Sequence, residues 1–168
     1  MGIIVKRCAL LLAAGLFLTG CGSEPVKSSG AKERIRVERP PCAPNPGLLP
    51  GRSFEPPLDT VRAAAANALL AKIAACEPLP YDHDAIIFQN REGLLPPQPR
   101  GYYREYTLVI PGRAVGDAPQ AVAVGTRTLV TGDIRSPRGP ERLVIGEGRR
   151  IYYTPDHYAN FIELRIVR

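Results

Sequence analysis

Two polar side chains lie inside aromatic runs of this sequence, and together they could carry out proton-transfer chemistry. Glu105 is in the middle of YYREYT, and His157 follows a turn in IYYTPDHYANF. A carboxylate and an imidazole can serve as general base and general acid in one reaction. Taken singly, each has a structural explanation, because a strand glutamate can be a salt-bridged edge residue and an isolated histidine is often structural. Other parts of the chain must decide between these explanations.

Strands are expected to position both groups. β-Branched and aromatic residues dominate the runs around them. Alternation places Tyr103, Glu105 and Thr107 on one face of a sheet, where burying a carboxylate is costly unless a partner uses it. The tripeptide TPD at 154–156 predicts a tight turn, with His157 at the entry to the next strand.

A helix is predicted ahead of the strands. LDTVRAAAANALLAKIAAC is alanine-rich, and Asp59 or Thr60 is placed to cap it. Its periodicity turns Arg62 and Lys72 away from the predicted buried face. That face holds Val61, Ala65, Ala68, Leu69, Ile73 and Cys76. One helix followed by strands predicts an α+β domain, with an N-terminal helix packed on a twisted antiparallel sheet. The predicted strands are 85–89, 102–110, 121–130, 142–145, 150–153 and 158–166.

Three segments resemble one known family closely and in the same order. They are PLPYDHDAIIFQNREGLLP, GYYREYTLVIPG and RGPERLVIGEGRRIYYTPDHYANF, and they resemble the microbial guanyl-specific ribonucleases of the barnase and ribonuclease Sa type. The resemblance covers about Leu58 to Leu164 and implies the microbial ribonuclease fold. It also implies a monomeric endoribonuclease that cleaves single-stranded RNA 3′ to guanosine without a metal, through a 2′,3′-cyclic phosphate that is then hydrolysed. A barstar-like protein inhibitor is an expected class of partner.

The resemblance also assigns roles that match what metal-free RNA cleavage requires. A base must take the proton from the ribose 2′-OH, an acid must protonate the departing 5′-oxygen, and cations must stabilise the phosphorane. The family motifs put the base on Glu105 and the acid on His157. Arg138 and Arg142 match the phosphate-binding arginines, and Tyr158 is expected to hydrogen-bond the phosphate.

Base choice is expected to come from FQNRE. Guanine presents adjacent N1–H and N2–H donors that one carboxylate can accept as a pair, and Glu92 matches that carboxylate. Backbone amides of Gln89, Asn90 and Arg91 are expected to meet guanine O6, while Phe88 and Arg91 flank the ring. Taken alone, an incidental Arg–Glu pair in a surface turn would fit the segment as well.

Residues 113–137 form an insertion where the family has a short turn. The insertion contains GTRTLVTGD, which offers a competing alignment that places the phosphate-binding arginines on Val124 and Thr128. The preferred alignment uses RGPERLVIGE, which supplies Arg138 and Arg142 at the expected separation. The insertion is then predicted to be an added hairpin beside the active-site cleft, and Arg127 within it a solvated cation.

The first residues predict export and a lipid anchor. Lys6 and Arg7 precede CALLLAAGLFL, a run too short to span a bilayer comfortably but of signal-peptide proportions. LTGC after it resembles a bacterial lipobox, which implies a signal peptide at 1–20 and a lipid on Cys21 that holds the protein on a membrane. The expected location is the cell envelope, which means the outer membrane or periplasm if the cell is Gram-negative. The alternative is an ordinary secreted protein with a coincidental cysteine.

A Pro-rich tether is predicted at 21–56 and the ribonuclease domain at 57–168. Cys42 and Cys76 remain in the mature chain, and an exported protein is expected to pair them in a disulfide, with two free buried thiols as the alternative. Residues 1–20 hold Lys6 and Arg7 and no acids, so their removal lowers the formal net charge from +6 to +4. This mildly basic balance is compatible with a polyanionic partner such as RNA. The sequence has no Walker loop, Rossmann glycine pattern or zinc-type spacing, so no cofactor is expected.

Two other functions fit parts of the sequence. One is a non-catalytic, membrane-tethered RNA- or inhibitor-binding lipoprotein on the same fold, which a missing acid, base or arginine would favour. The other is a structural envelope lipoprotein with a basic domain, which predicts binding to envelope polymers and no nuclease activity.

Overall fold

The computed structural model describes residues 41–168, and within that range one helix packs on one face of a six-stranded antiparallel sheet. Helix α1 spans Thr60–Ala75. The strands are β1 Ser53–Glu55, β2 Ile86–Ile87, β3 Tyr103–Thr107, β4 Ala121–Val124, β5 Arg127–Val130, β6 Arg142–Gly146, β7 Arg150–Thr154 and β8 Ile162–Val167. The main sheet has the order β1-β8-β7-β6-β3-β2, which confirms the predicted α+β class.

Helix α1 begins at the predicted cap, but it buries a different face. The Asp59 carboxylate accepts a hydrogen bond from the Arg62 amide at 2.9 Å, which satisfies one of the free donors of the first turn. Val61 is 46% exposed, whereas Arg62 is only 4% exposed. The buried residues are Arg62, Ala66, Leu69, Leu70, Ile73 and Ala74. The predicted face is therefore wrong in part, because alanines on every side leave little apolar contrast and Arg62 has a buried anionic partner.

The predicted tether boundary at residue 56 is also wrong. Cys42 forms a disulfide with Cys76 at the end of α1, which confirms the predicted pairing. Leu48 and Phe54 are 2% and 3% exposed and belong to the main core, and β1 pairs with β8. Prolines are compatible with an edge strand and its flanks, where few backbone donors are needed.

The insertion forms the predicted hairpin. Strands β4 and β5 pair in a separate two-stranded sheet, and Val122 and Val124 are buried in the main core. After the hairpin, the amide of Gly132 donates to the carbonyl of Pro155 at 3.1 Å. A Cβ on Gly132 would lie 3.0 Å from the Cβ of Pro140, so this backbone approaches the next turn closely. The insertion thus packs against the turns after β7 and before β6.

The two faces of the sheet are used differently. On β3, Tyr106 packs into the main core under α1, whereas Tyr103 packs into a second cluster on the opposite face. On β6, Leu143 belongs to the main core and Val144 to the second cluster. The alternation predicted for β3 is confirmed, and Glu105 therefore projects away from the helix.

His157 was predicted to lie at the entry to a strand, and this prediction is wrong. It sits in a turn with φ 57°, and β8 begins only at Ile162. The turn is prolonged by side-chain caps: the Tyr158 amide donates to Thr154 Oγ1 at 2.9 Å, and the Asn160 amide donates to Asp156 Oδ1 at 2.9 Å. These local bonds compete successfully with strand pairing.

The helix-side face also holds a cavity of about 550 Å³, lined in part by Cys42, Cys76, Arg104, Tyr106 and Ile145. Within 41–168, no helix is long and apolar enough to cross a membrane.

Candidate active site

Glu105 lies at the centre of the sheet face that turns away from α1. It pairs with Ile86 on β2 and with Val144 on β6, and it is 9% exposed. The Tyr158 hydroxyl donates to Glu105 Oε2 at 2.6 Å, and Arg138 Nη2 lies 3.9 Å from Oε1. Burial, and then the bond to Glu105, raises the pKa of the Tyr158 hydroxyl. The carboxylate is therefore held between a neutral donor and a cation.

Arg138 is held by the end of β3 and by the loop ahead of β2. Its Nε donates to Thr107 Oγ1 at 3.0 Å, and its guanidinium carbon lies 5.7 Å from the centroid of the Tyr81 ring. Its Nη2 lies 3.7 Å from Oδ1 of Asp84, which is 0% exposed and accepts from the Thr107 amide at 2.7 Å. Sequence reasoning missed Asp84; its signal was a second acid in YDHD directly ahead of an apolar strand.

Arg142 is held more tightly still, at the start of β6. It is 2% exposed, and its Nη1 donates to the carbonyls of Arg138, Gly139 and Glu141 at 3.2, 2.8 and 2.7 Å. Its buried Nε has no hydrogen-bond partner among the residues described. Burial lowers the pKa of Arg142 from its usual range, and the neighbouring Arg138 charge lowers it further. The two guanidinium groups are therefore held in place as positive charges on the side of the cleft next to Glu105.

His157 stands at the exposed edge of the same cleft. Its amide donates to the Pro140 carbonyl at 3.1 Å, and its ring centroid is 4.5 Å from that of Tyr158. Desolvation lowers the pKa of His157 from 6.5, and the charge of Arg142 lowers it further, against the opposing effect of Glu105. The pKa of the His157 imidazole therefore depends on both the arginine charges and the Glu105 carboxylate.

The segment FQNRE lies next to Glu105. A pocket of about 240 Å³ is lined by Ile87, Phe88, Gln89, Asn90, Arg91, Glu92, Glu105 and Tyr158. Both Arg91 and Glu92 are exposed to solvent. The structure therefore brings every residue proposed for base recognition to the same pocket as Glu105, and His157 packs against Tyr158, which also lines that pocket.

Local contacts shape this segment. Phe88 is 9% exposed, with its ring centroid 5.0 Å from that of Tyr158 and 5.8 Å from that of Phe161. Asn90 has φ 49°, and its side chain exchanges two hydrogen bonds with the backbone of Leu95, at 2.8 and 3.0 Å. The Asn90 side chain is thus used to hold the loop, and its backbone amide is the part left for a ligand.

The remaining predicted residues lie elsewhere. Arg127 is exposed on β5 and does not line this pocket. The disulfide lies at the helix-side cavity, and Cys21 lies outside the described residues. In the part of the chain that the structure covers, no three His, Cys, Asp or Glu side chains are grouped so as to hold a metal ion.

Comparisons with known proteins agree on one family. A family model described as ribonuclease matches residues 52–165. Guanyl-specific ribonuclease Sa of Kitasatospora aureofaciens is 40% identical over 96 residues, which cover 57% of this chain and 78% of that protein. Guanyl-specific ribonuclease St of Saccharopolyspora erythraea is 38% identical over 84 residues, or 50% of this chain and 61% of that protein. A solved structure of ribonuclease Sa2 with guanosine-2'-cyclophosphate is 36% identical, covers 60% of this chain and 83% of that one, and has a TM-score of 0.43.

Proposed function

This chain belongs to the ribonuclease family, and from that membership and the geometry of the cleft we infer that it is a guanyl-specific endoribonuclease. It cleaves RNA 3′ to guanosine by transesterification to a 2′,3′-cyclic phosphate, which it then hydrolyses. The observation that carries this conclusion is the single pocket that joins the FQNRE segment to Glu105 and Tyr158. The residues proposed as base, acid and phosphate-binding cations are all present in the chain, which supports a catalytic role over a non-catalytic binding role.

In the first step, Glu105 takes the proton of the ribose 2′-OH as that oxygen attacks the adjacent phosphorus. The bond from phosphorus to the 5′-oxygen breaks, and His157 protonates the departing oxygen. In the second step the roles reverse: His157 takes a proton from water and the hydroxide attacks phosphorus. The bond from phosphorus to the 2′-oxygen breaks, and Glu105 returns its proton to that oxygen. Each residue ends the cycle in its starting protonation state, so no metal or cofactor enters the proposed cycle.

Arg138 and Arg142 stabilise the charge that develops on the nonbridging oxygens. Both guanidinium groups are fixed before substrate arrives, by Thr107 and Asp84 and by three backbone carbonyls. Fixed cations cost no reorganisation in the transition state, which is the main source of electrostatic catalysis. The bound phosphate also opposes their effect on His157 and favours the imidazolium that the first step requires.

Guanine recognition is assigned to the exposed carboxylate of Glu92, with the amides of Gln89, Asn90 and Arg91 directed at O6. Arg91 is steadied by its Nε bond to Gln89 Oε1 at 2.9 Å. The ring of Phe88 is held by its aromatic neighbours and is assigned, with Arg91, to flank the base.

The proposed setting is the cell envelope. A lipid on Cys21 would hold the mature chain on a membrane, and the Cys42–Cys76 disulfide fits an oxidising compartment. The chain acts as a monomer on RNA, and a barstar-like inhibitor is its proposed protein partner.

A defined RNA incubated with the purified protein in excess chelator tests this function. We expect cuts only after guanosine, with cyclic phosphate ends appearing before 3′-phosphate ends. Glu105→Gln protein from the same preparation controls for contaminating nucleases. Loss of activity in chelator, or equal cleavage after all four bases, would refute the proposal.

A further inference from the structure

A buried ion pair lies under the turn that carries the two arginines. The Arg62 guanidinium makes a forked contact with Glu141, Nε to Oε2 at 2.9 Å and Nη2 to Oε1 at 2.7 Å. The Tyr153 hydroxyl donates to the same Oε2 at 2.5 Å, and Asp59 accepts from Arg62 Nη1 at 2.9 Å. Arg62, Glu141 and Tyr153 are 4%, 3% and 0% exposed. The first turn of α1 is therefore tied directly to residue 141.

Glu141 connects the buried ion pair to Arg142 through its backbone carbonyl. Its carbonyl accepts from Arg142 Nη1 at 2.7 Å and from the Leu108 amide at 3.1 Å. Successive residues of an extended segment point to opposite faces, so the Glu141 side chain reaches the helix while the Arg142 side chain reaches the cleft. The other bonds of Arg142 Nη1 go to carbonyls of the same turn, at Arg138 and Gly139.

Stability alone does not account for such a pair, because apolar side chains of similar volume often stabilise a core as well or better. The fork does fix the direction from which residue 141 approaches the sheet. We propose that Arg62 and Glu141 are positioning residues, which fix the turn from Arg138 to Arg142 and thereby place both guanidinium groups against the scissile phosphate. This inference rests on the function proposed above.

The test replaces the pair together, as Arg62→Met with Glu141→Leu, so that no buried charge is left unpaired. We expect kcat/KM for a guanosine-containing dinucleotide to fall at least about tenfold, because small displacements of charged groups are costly in catalysis. In a protein that already carries Arg138→Ala and Arg142→Ala, the same replacement should change kcat/KM by less than about twofold, since no guanidinium remains to be misplaced. Leu70→Ala, on the same helix and 0% exposed, is the control for lost stability and should leave kcat/KM unchanged below its Tm.

A second readout follows the cations themselves. Desolvation lowers the pKa of His157, the charges of Arg142 and Arg138 lower it further, and Glu105 raises it. Displaced guanidinium groups should let the pKa of His157 rise, as seen by NMR titration of its ring protons, and Leu70→Ala should not move it. If the paired replacement does not fold, Arg62→Lys serves instead, since it keeps the charge and loses the fork; we expect a smaller change in the same direction.

The outcomes separate the two proposals. A wild-type protein without guanosine-specific cleavage, or one that loses nothing on Arg138→Ala and Arg142→Ala, would overturn the proposed function. If those two substitutions are damaging but the paired replacement lowers kcat/KM equally in both backgrounds, or not at all, only the positioning role is overturned.

Discussion

Replacing Arg142 by alanine should be far more damaging than replacing Arg127, although both are arginines of the same region. Arg142 is 2% exposed and bonded to three carbonyls of its own turn. Arg127 is exposed on the added hairpin. The comparison decides between the two alignments of the insertion, because the competing alignment places the phosphate-binding positions within that hairpin.

The expected size follows from the charge that develops during the reaction. A guanidinium about 4 Å from a unit charge interacts with it by about 4 kcal/mol at an effective dielectric constant of about 20. The phosphodiester already carries negative charge when bound, so only the increase in the transition state contributes to catalysis. If the interaction strengthens in the transition state by about a third of that 4 kcal/mol, the gain is about 1.4 kcal/mol. Losing it corresponds to a tenfold loss of kcat/KM. Arg127→Ala should produce only a small change in salt-dependent RNA affinity.

Steady-state cleavage of a short guanosine-containing RNA measures both variants, with Tm recorded for each. Arg142→Lys separates charge from shape: it keeps the cation but cannot bond the three carbonyls in the same way, so an intermediate rate is expected. Arg138→Ala should behave like Arg142→Ala. A crippled Arg127→Ala protein beside a nearly normal Arg142→Ala protein would mean that the alignment is wrong and that the insertion follows the strand.

Four further predictions concern other parts of the chain. Glu105→Gln and His157→Ala should each lower turnover by about 10²–10⁴, the usual range for one acid–base group, and near-normal rates in both would remove these roles. Because the acid must be protonated and the pKa of His157 is lowered from 6.5, kcat/KM should fall with rising pH through an apparent pKa below that value; a limb above it would contradict the argument. Cys76→Ser should reduce the free energy of unfolding by about 4 kcal/mol from lost loop constraint, and denaturation curves that match the oxidised wild type would exclude this. The Cys21→Ser precursor should fractionate as unlipidated protein. Labelled fatty acid found in it as strongly as in the wild type would refute the lipid anchor.

The parts of the fold that could be predicted are those whose signal is local. Asp59 follows two prolines and precedes an alanine-rich run, and it caps α1 as expected. Alternation along β3 placed Glu105 on the cleft face, because the period of two is a property of the strand itself. The roles of Arg138 and Arg142 stay a prediction, which the comparison with Arg127 tests.

The parts that could not be predicted depend on partners distant in the sequence. Phe54 becomes part of the core only because β1 pairs with β8, and a proline-dense sequence gives no sign of that partner. Arg62 is buried because Glu141 lies beneath the helix, 79 positions further along the chain. The structural role of Asp84 likewise comes from its contacts with the Thr107 amide and with Arg138, neither of which is close to it in sequence. Periodicity predicts which side chains of one element share a face. It does not predict which charged residue from a distant part of the sequence will contact that face.

The disulfide-lined cavity and the catalytic cleft lie on opposite faces of the sheet. Pro41 and Cys42 line that cavity together with Tyr106, whereas Glu105 projects from the other side of the same strand. An attachment made through residues ahead of Pro41 therefore starts from the rear of the catalytic surface. A polymeric RNA can therefore reach the cleft without first passing the point of attachment, so immobilisation by the N-terminus should not lower the turnover of large substrates relative to that of dinucleotides.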